Sequence, residues 1–222
     1  MSFNVAIDGP AGAGKSTIAK RVAKQLGFIY VDTGAMYRAM ALYLLNNNVD
    51  KEDQEAIGSK CQDADISIRY ENGEQIVLLN GENVNGFIRT EEVGNMASVS
   101  SANPKLRVKL VELQKKLASK ADVIMDGRDI GTCVLPNADV KVYLTASSAV
   151  RAMRRFKELE AKGVVCDLAQ IEADIIDRDY RDMTREHSPL KQAEDAILVD
   201  SSDMTIDEVV EKICALVKEK QA

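Results

Sequence analysis

The sequence predicts an α/β domain built on a parallel sheet, and three observations carry that expectation. Short apolar runs of strand length alternate with amphipathic helical stretches, an order that implies parallel strands joined by right-handed crossovers. A glycine-rich stretch lies directly between the first apolar run and the first helix. The 222 residues are 45 % hydrophobic and 29 % charged, a balance that supports a buried core and argues against disorder.

Residues 3–7 are an apolar run suited to a buried strand. From Ser16 onward, Ile18, Val22 and Leu26 recur at i, i+4 and i+8 with Ala19 and Ala23 beside them, and Gly27 stops the helix. Residues 28–31 read as a second strand and 36–45 as a second helix, ending at Asn46, Asn47 and Asn48. Between about 63 and 90 the texture changes. Ile66, Ile68 and Tyr70 alternate with polar residues, Asn72-Gly73 supplies a tight hairpin turn, and residues 75–79 lead to a second turn at Asn80-Gly81. This is a small antiparallel meander set into the α/β pattern. Helical periodicity returns with Leu106, Leu110, Leu113 and Leu117. Residues 122–125 and 140–144 are further buried strands, helical stretches follow at 148–161 and 167–183, and a strand at 196–199 precedes the last helix with Val209, Val210, Ile213, Leu216 and Val217. With no repeats, low-complexity tracts or linkers, the chain reads as one domain over 1–222.

Composition removes several function classes. Acidic residues outnumber basic ones by 35 to 29, for a net charge of -6, so a basic nucleic-acid coat is not expected. His187 is the one histidine, which excludes a multi-histidine metal site and leaves a Ser-His-Asp triad only that position. It reads as incidental. Cys61, Cys133, Cys166 and Cys214 are too far apart for CxxC motifs and read as reduced structural thiols. The eight methionines read as core. The first residues lack a basic segment followed by an apolar one, and no apolar run approaches the ~18 residues of a membrane span. A cytoplasmic location is expected, with no membrane partner.

The glycine-rich stretch is Gly9-Pro10-Ala11-Gly12-Ala13-Gly14-Lys15-Ser16, a full match to GxxxxGK[ST] with Thr17 next. Its setting, after an apolar strand and opening an amphipathic helix, is what the motif's mechanism requires. Glycines let consecutive N–H groups turn inward around an anion, and the helix N-terminus adds positive potential. Lys15 is expected to bridge the terminal phosphates of a nucleoside triphosphate. Ser16 is expected to reach Mg²⁺, with Asp126, at a strand end facing the loop, orienting the ion through water or simply capping the loop. A guanine-reading NKxD segment is missing, and a large motor ATPase needs more chain.

Three segments then point to a second substrate. Residues 32–38 (DTGAMYR) and 126–132 (DGRDIGT) each follow a strand directly, where ligands bind in open parallel sheets. In residues 177–185 (DRDYRDMTR), a helix would place Arg178, Asp182 and Arg185 on one face at i, i+4 and i+7. By itself that run reads as a solvated charged helix with internal ion pairs.

Taken together, IDGPAGAGKST, VDTGAMYRAMA, NGENVNGFIRTEEV, DGRDIGT, VKVYLTAS, RDYRDMTR and LVDSS resemble the bacterial-type cytidylate kinases over essentially the whole chain. Ala11, where serine is common, and Leu135, where an aromatic is common, are the departures. The resemblance implies a P-loop nucleoside-monophosphate kinase fold: a five-stranded parallel sheet flanked by helices, with core 1–35, 101–153 and 166–222. It implies a monophosphate-binding insert over about 36–100 and a short helical lid over about 154–165. Carried over by position, Arg38, Arg128 and Arg185 hold the CMP phosphate, and Thr33, Ser98, Arg107 and Asp129 surround cytosine. Arg178 and Asp182 meet the ribose, and Arg154 closes on the ATP phosphates. Lys15, Arg128, Arg185 and Arg154 are then the catalytic set. The partners implied are ATP and CMP or dCMP, acting on a monomer.

The chemistry agrees. The acceptor phosphate oxygen is already anionic, so transfer needs alignment and positive charge more than a base. Arginine grips phosphate bidentately and stays charged. The competing readings are a small kinase with a uridylate or adenylate acceptor, and a non-catalytic nucleotide switch lacking the strand-end arginines.

Overall fold

The structure, a computed structural model, describes residues 2–222. In chain order its elements are β1 (Asn4–Asp8), α1 (Lys15–Leu26), β2 (Ile29–Asp32), α2 (Thr33–Asn46), α3 (Gln54–Lys60), β3 (Ile66–Glu71), β4 (Glu74–Leu79), β5 (Glu82–Asn83), α4 (Glu91–Ser100), α5 (Pro104–Ala118), β6 (Val123–Gly127), β7 (Val140–Thr145), α6 (Ser148–Ala161), α7 (Leu168–Thr184), β8 (Ile197–Asp200) and α8 (Ile206–Gln221).

The main sheet has the order β2-β6-β1-β7-β8, with every pairing parallel. Its strands are apolar on both faces because helices cover both, the usual condition of a parallel sheet. Val5 and Ile7 pack with α1 and α8 residues such as Ile18, Val22 and Ile213. Ala6, Val31 and Met125 pack on the other side with Met36, Met40, Leu106 and Leu110. Alternation along each strand splits these two core layers, and register then aligns the strand ends. Asp8 pairs with Gly127 and Asp32 with Asp126, so three strands end at one edge beside the glycine-rich loop.

The meander over 66–83 forms a second, antiparallel sheet. At its first turn Asn72 (φ 52°) and Gly73 (φ 80°) both take left-handed backbone, the geometry that matches a two-residue turn to strand twist. This sheet is fastened to the end of β2. The Gln75 side chain accepts from the Asp32 N–H (2.8 Å) and donates to the Asp32 carbonyl (3.1 Å), while the Tyr70 hydroxyl donates to the Tyr30 carbonyl (3.2 Å).

Three features differ from the sequence expectation. α2 starts at Thr33 rather than 36, because Asp32 caps it by accepting from the Ala35 N–H (2.9 Å). α3 and α4 are helices that periodicity did not find. α3 is one short stretch with only Ile57 and Gly58 buried, and α4 spends a buried position on Ser100, which dilutes its apolar stripe. Their signals were the caps, Asp53 and Thr90, each accepting an N–H three residues on. The methionines divide: Met36, Met40, Met96 and Met125 are core, whereas Met153 and Met183 are exposed. Met40→Ala is therefore expected to lower unfolding free energy by about 3 kcal/mol, as buried truncations do. Met183→Ala should change it by less than about 0.5 kcal/mol, both read from urea unfolding midpoints.

Candidate active site

The glycine-rich loop is shaped by close backbone approaches and left-handed glycines. Gly9 (φ 149°) lies so close to β7 that a Cβ there would sit 1.9 Å from the Leu144 carbonyl oxygen, so no side chain fits. Gly12 (φ 75°) and Gly14 (φ 86°) are left-handed, which turns Ala11, Ala13 and the first residues of α1 around one centre. Every other α-helix receives a side-chain hydrogen bond at its N-cap, whereas α1 begins at Gly14 with none. Its first N–H groups are thus kept for an anion. Lys15 lies buried across the loop, donating to the Pro10 carbonyl (2.7 Å). Burial, followed by the neighbouring Arg128, holds its amine well below the usual lysine range. Thr17 is exposed.

Two ionic contacts clamp the loop from outside. Arg151 on α6 donates to the carbonyls of Ala146 and Ala11 (both 2.8 Å) and pairs with Asp179 on α7 (2.6 Å). Asp179 in turn accepts from the Ala11 N–H (3.2 Å). Arg151 is thus buried beside the loop as part of its frame. Arg154, one turn on, donates to the carbonyl (2.7 Å) and hydroxyl (3.3 Å) of Ser201 after β8. Residues 154–161 continue α6 without a break.

At the strand ends, Asp126 accepts from the Ser16 hydroxyl on one oxygen and the Tyr30 hydroxyl on the other, both at 2.9 Å. Burial, then the adjacent Asp32 carboxylate, pushes Asp126 up to about 6. Asp8 accepts from the N–H groups of Ile130 (2.8 Å) and Gly131 (2.7 Å), which open a π-helical turn over Ile130–Val134. Burial outweighs those two donors and leaves Asp8 at about 6.

The guanidinium cluster fills the space between β6, α2 and α7. Arg128 pairs with Asp182 (2.8 Å), and this contact, working against burial, holds Arg128 above and Asp182 below their ordinary ranges. Arg178 has a buried Nε with no partner, and burial followed by Arg128 brings it down to about 10. Arg185 has a buried Nη2 with no hydrogen bond, lies 3.8 Å from Asp129, and is lowered by burial and by Arg107. Burial and Arg89 lower Arg38, which has no ion pair among the described residues. Beside this cluster Arg107 and Asp129 form a buried ion pair, with Arg107 stacked over Tyr37 at 5.6 Å and donating to the Ser101 carbonyl (3.2 Å).

Sequence reasoning thus identified residues that converge: Arg38, Arg107, Arg128, Asp129, Arg178, Asp182 and Arg185 belong to one continuous charged site, and Ser98 lies half-buried on α4, which leads into the loop before Arg107. Thr33 lies just past the end of β2, where its buried hydroxyl donates to the Asp126 carbonyl (2.7 Å) and keeps its acceptor lone pairs. Asp179 and Tyr30 were missed as site residues. Asp179 sits within the charged run but off the face of Arg178 and Asp182, and an apolar strand gives no sign of what its one tyrosine hydroxyl meets.

An uncapped phosphate loop facing a cleft of desolvated guanidinium groups is the arrangement of a P-loop kinase, an enzyme that transfers a phosphoryl group from a nucleoside triphosphate to a second bound substrate. The family model for cytidylate kinase matches residues 5–219, and the chain belongs to that family. Relatives include a cytidylate kinase of Lactobacillus johnsonii, 54 % identical over 219 residues covering 99 % of this chain and 95 % of the relative. That of Caldicellulosiruptor bescii is 51 % identical over 214 residues, 96 % and 95 % of the two chains. Among solved structures, a gluconokinase from Sinorhizobium meliloti superposes with a TM-score of 0.51 at 10 % identity over 98 % of this chain and 92 % of its own, a likeness of fold. No helix among the described residues is long and apolar enough to cross a membrane.

Asp179→Ala would leave Arg151 buried without its carboxylate and Ala11 without its acceptor. It is expected to cost about 3 kcal/mol in urea unfolding and to weaken ADP binding measured by calorimetry, because the loop loses its brace.

Proposed function

We propose that the protein transfers the γ-phosphoryl group of ATP to CMP and dCMP, giving ADP and the corresponding diphosphate by direct in-line transfer. The observation that carries this reading is the buried Arg107–Asp129 pair beside the guanidinium cluster. Cytosine presents an amino donor at N4 and acceptors at N3 and O2. Asp129 can accept from the first and Arg107 can donate to the others. Uracil reverses N3 and N4, so a carboxylate would face a carbonyl, at several kcal/mol in a dry pocket.

The site residues then divide by what they touch. Arg38, Arg128 and Arg185 grip the acceptor phosphate, Arg178 and Asp182 meet the ribose, and Ser98 completes the base pocket. The loop from Gly9 to Thr17 holds the donor phosphates, with Lys15 leaving the Pro10 carbonyl for them. An acceptor phosphate oxygen attacks the γ-phosphorus as the bond to the β–γ bridging oxygen breaks. Arg128, Arg185 and Lys15 surround the charge on the transferring group. Because the acceptor is already anionic, no proton need be removed, and a base is not required.

Mg²⁺ fits the oxygen donors at the loop. The Ser16 hydroxyl and the Asp126 carboxylate are hard ligands already within hydrogen-bonding distance of each other, and Mg²⁺ uses few protein ligands beside phosphate. Those two residues would hold it, and when bound it supplies charge neutralisation on the donor phosphates. Residues 36–100 serve as the monophosphate-binding insert and 154–165 as the lid. Closure asks Arg154 to exchange its Ser201 contacts for ATP phosphate, excluding water that would otherwise hydrolyse the donor.

An assay coupled to ADP release, run with CMP, dCMP, UMP and AMP, tests the reading. Turnover is expected with CMP and dCMP far above UMP and AMP, and no turnover with any acceptor would leave a nucleotide switch instead. Asp129→Ala should reduce kcat/KM for CMP about 100-fold while changing UMP much less. Unchanged CMP-over-UMP discrimination would remove Asp129 from base recognition.

A further inference from the structure

We propose that Tyr30 is a positioning residue for the magnesium site, its hydroxyl fixing the Asp126 carboxylate so that the second oxygen is presented at Ser16. This rests on the assignment of Ser16 and Asp126 to Mg²⁺ above. Asp126 has one donor on each carboxylate oxygen: Tyr30 on Oδ1 and Ser16 on Oδ2, each at 2.9 Å. The terminal torsion of an aspartate is soft, so a carboxylate held at one oxygen can still turn. Donors on both oxygens remove that freedom before any ligand arrives.

The contact is not a by-product of strand pairing. Tyr30 lies opposite Ile124 and Asp32 lies opposite Asp126, so the phenol reaches two residues along the sheet to find the carboxylate. Tyr30 belongs to the core layer that also receives α1, the helix whose first turn carries Ser16. Its ring is buried, lies under the Lys20 ammonium at 5.7 Å, and its backbone carbonyl accepts from Tyr70 of the meander. A side chain held at ring, backbone and hydroxyl is stiff enough to orient another. Groups that orient a metal ligand commonly govern metal affinity by 10- to 100-fold.

The test measures metal binding directly. Mn²⁺ serves as the probe, with its affinity for the enzyme–ADP complex read from the paramagnetic resonance of free Mn²⁺. Tyr30→Phe keeps the ring and removes the donor, and 4-aminophenylalanine at position 30 restores a donor in the same place. Tyr30→Phe is expected to weaken Mn²⁺ binding about 10-fold with ADP affinity in EDTA unchanged, and the amino variant should bind as wild type. Wild-type Mn²⁺ affinity in Tyr30→Phe, whatever happens to its melting temperature, makes Tyr30 merely structural and overturns the inference. Asp126→Asn and Ser16→Ala separate the two failures. If both retain wild-type Mn²⁺ affinity, the magnesium assignment falls and this inference falls with it. If they weaken binding and Tyr30→Phe does not, only the role of Tyr30 falls.

Discussion

Positive charge is desolvated in the acceptor cleft faster than the protein's own carboxylates can neutralise it, and much of the structure follows from that imbalance. Arg128 has Asp182 and Arg107 has Asp129, but Lys15, Arg38 and Arg178 have no ion pair among the described residues, and Arg185 reaches only the far oxygen of an occupied aspartate. Burial lowers all four, and the next largest influence on each is another guanidinium. Such a group is costly to bury unpaired. In the proposed function an anionic ligand supplies the missing partner, which would turn an internal cost into binding energy and orientation. The chain is acidic overall, at -6, so the cationic cleft is a local construction and not a consequence of composition.

Carboxylates do the opposite work: they hold backbone in place around the cleft. Asp8 ties the π-helical turn to the end of β1, Asp32 caps α2 while bonding Arg89, and Asp179 holds the loop at Ala11. Each lies at a strand end or on a helix facing one, so sheet register places them together. The start of α1 can therefore go without a side-chain cap, because the loop's position is fixed from outside by Arg151 and Asp179. The framing lies on one side only: at the turn after α6, in the segment proposed as the lid, Val165 is fully exposed.

What could be read from sequence was whatever is local in the chain. The β1–loop–α1 unit was legible because strand, glycines, lysine and amphipathic helix are contiguous, and the Asn-Gly turns announced the meander for the same reason. Arg178 and Asp182 share a face of α7 because helical spacing puts them there, whereas Arg185 is the extended residue that follows the helix. Arg151 and Ala11 are 140 residues apart, and Tyr30 and Asp126 are 96 apart, with no pattern that links either pair. Such contacts arise from sheet order, which motifs imply only through a known relative. Thr33 is such a case: its donation to the Asp126 carbonyl spans 93 residues and no local pattern announces it.

If Arg107 and Asp129 meet the base and Arg185 the acceptor phosphate, as proposed above, the Arg107–Asp129 pair joins the two charge arguments at one pocket, and the consequences for base and phosphate hold on that proposal. Without a nucleotide, each partner satisfies the other, so the pocket does not hold an unpaired charge while it waits. Entry of a base must then replace part of that mutual contact, and only a base with a donor for Asp129 and acceptors for Arg107 returns what it removes. A uracil carbonyl would leave the carboxylate facing another acceptor at a position where Arg107 and Asp129 are both buried. Arg185, 3.8 Å from the outer oxygen of Asp129, links base to phosphate: a ligand that turned the carboxylate away would also move charge off the guanidinium that grips the acceptor. Recognition of the base and alignment of the phosphate are thereby parts of one ionic arrangement, and discrimination between pyrimidines should appear in kcat as well as in KM.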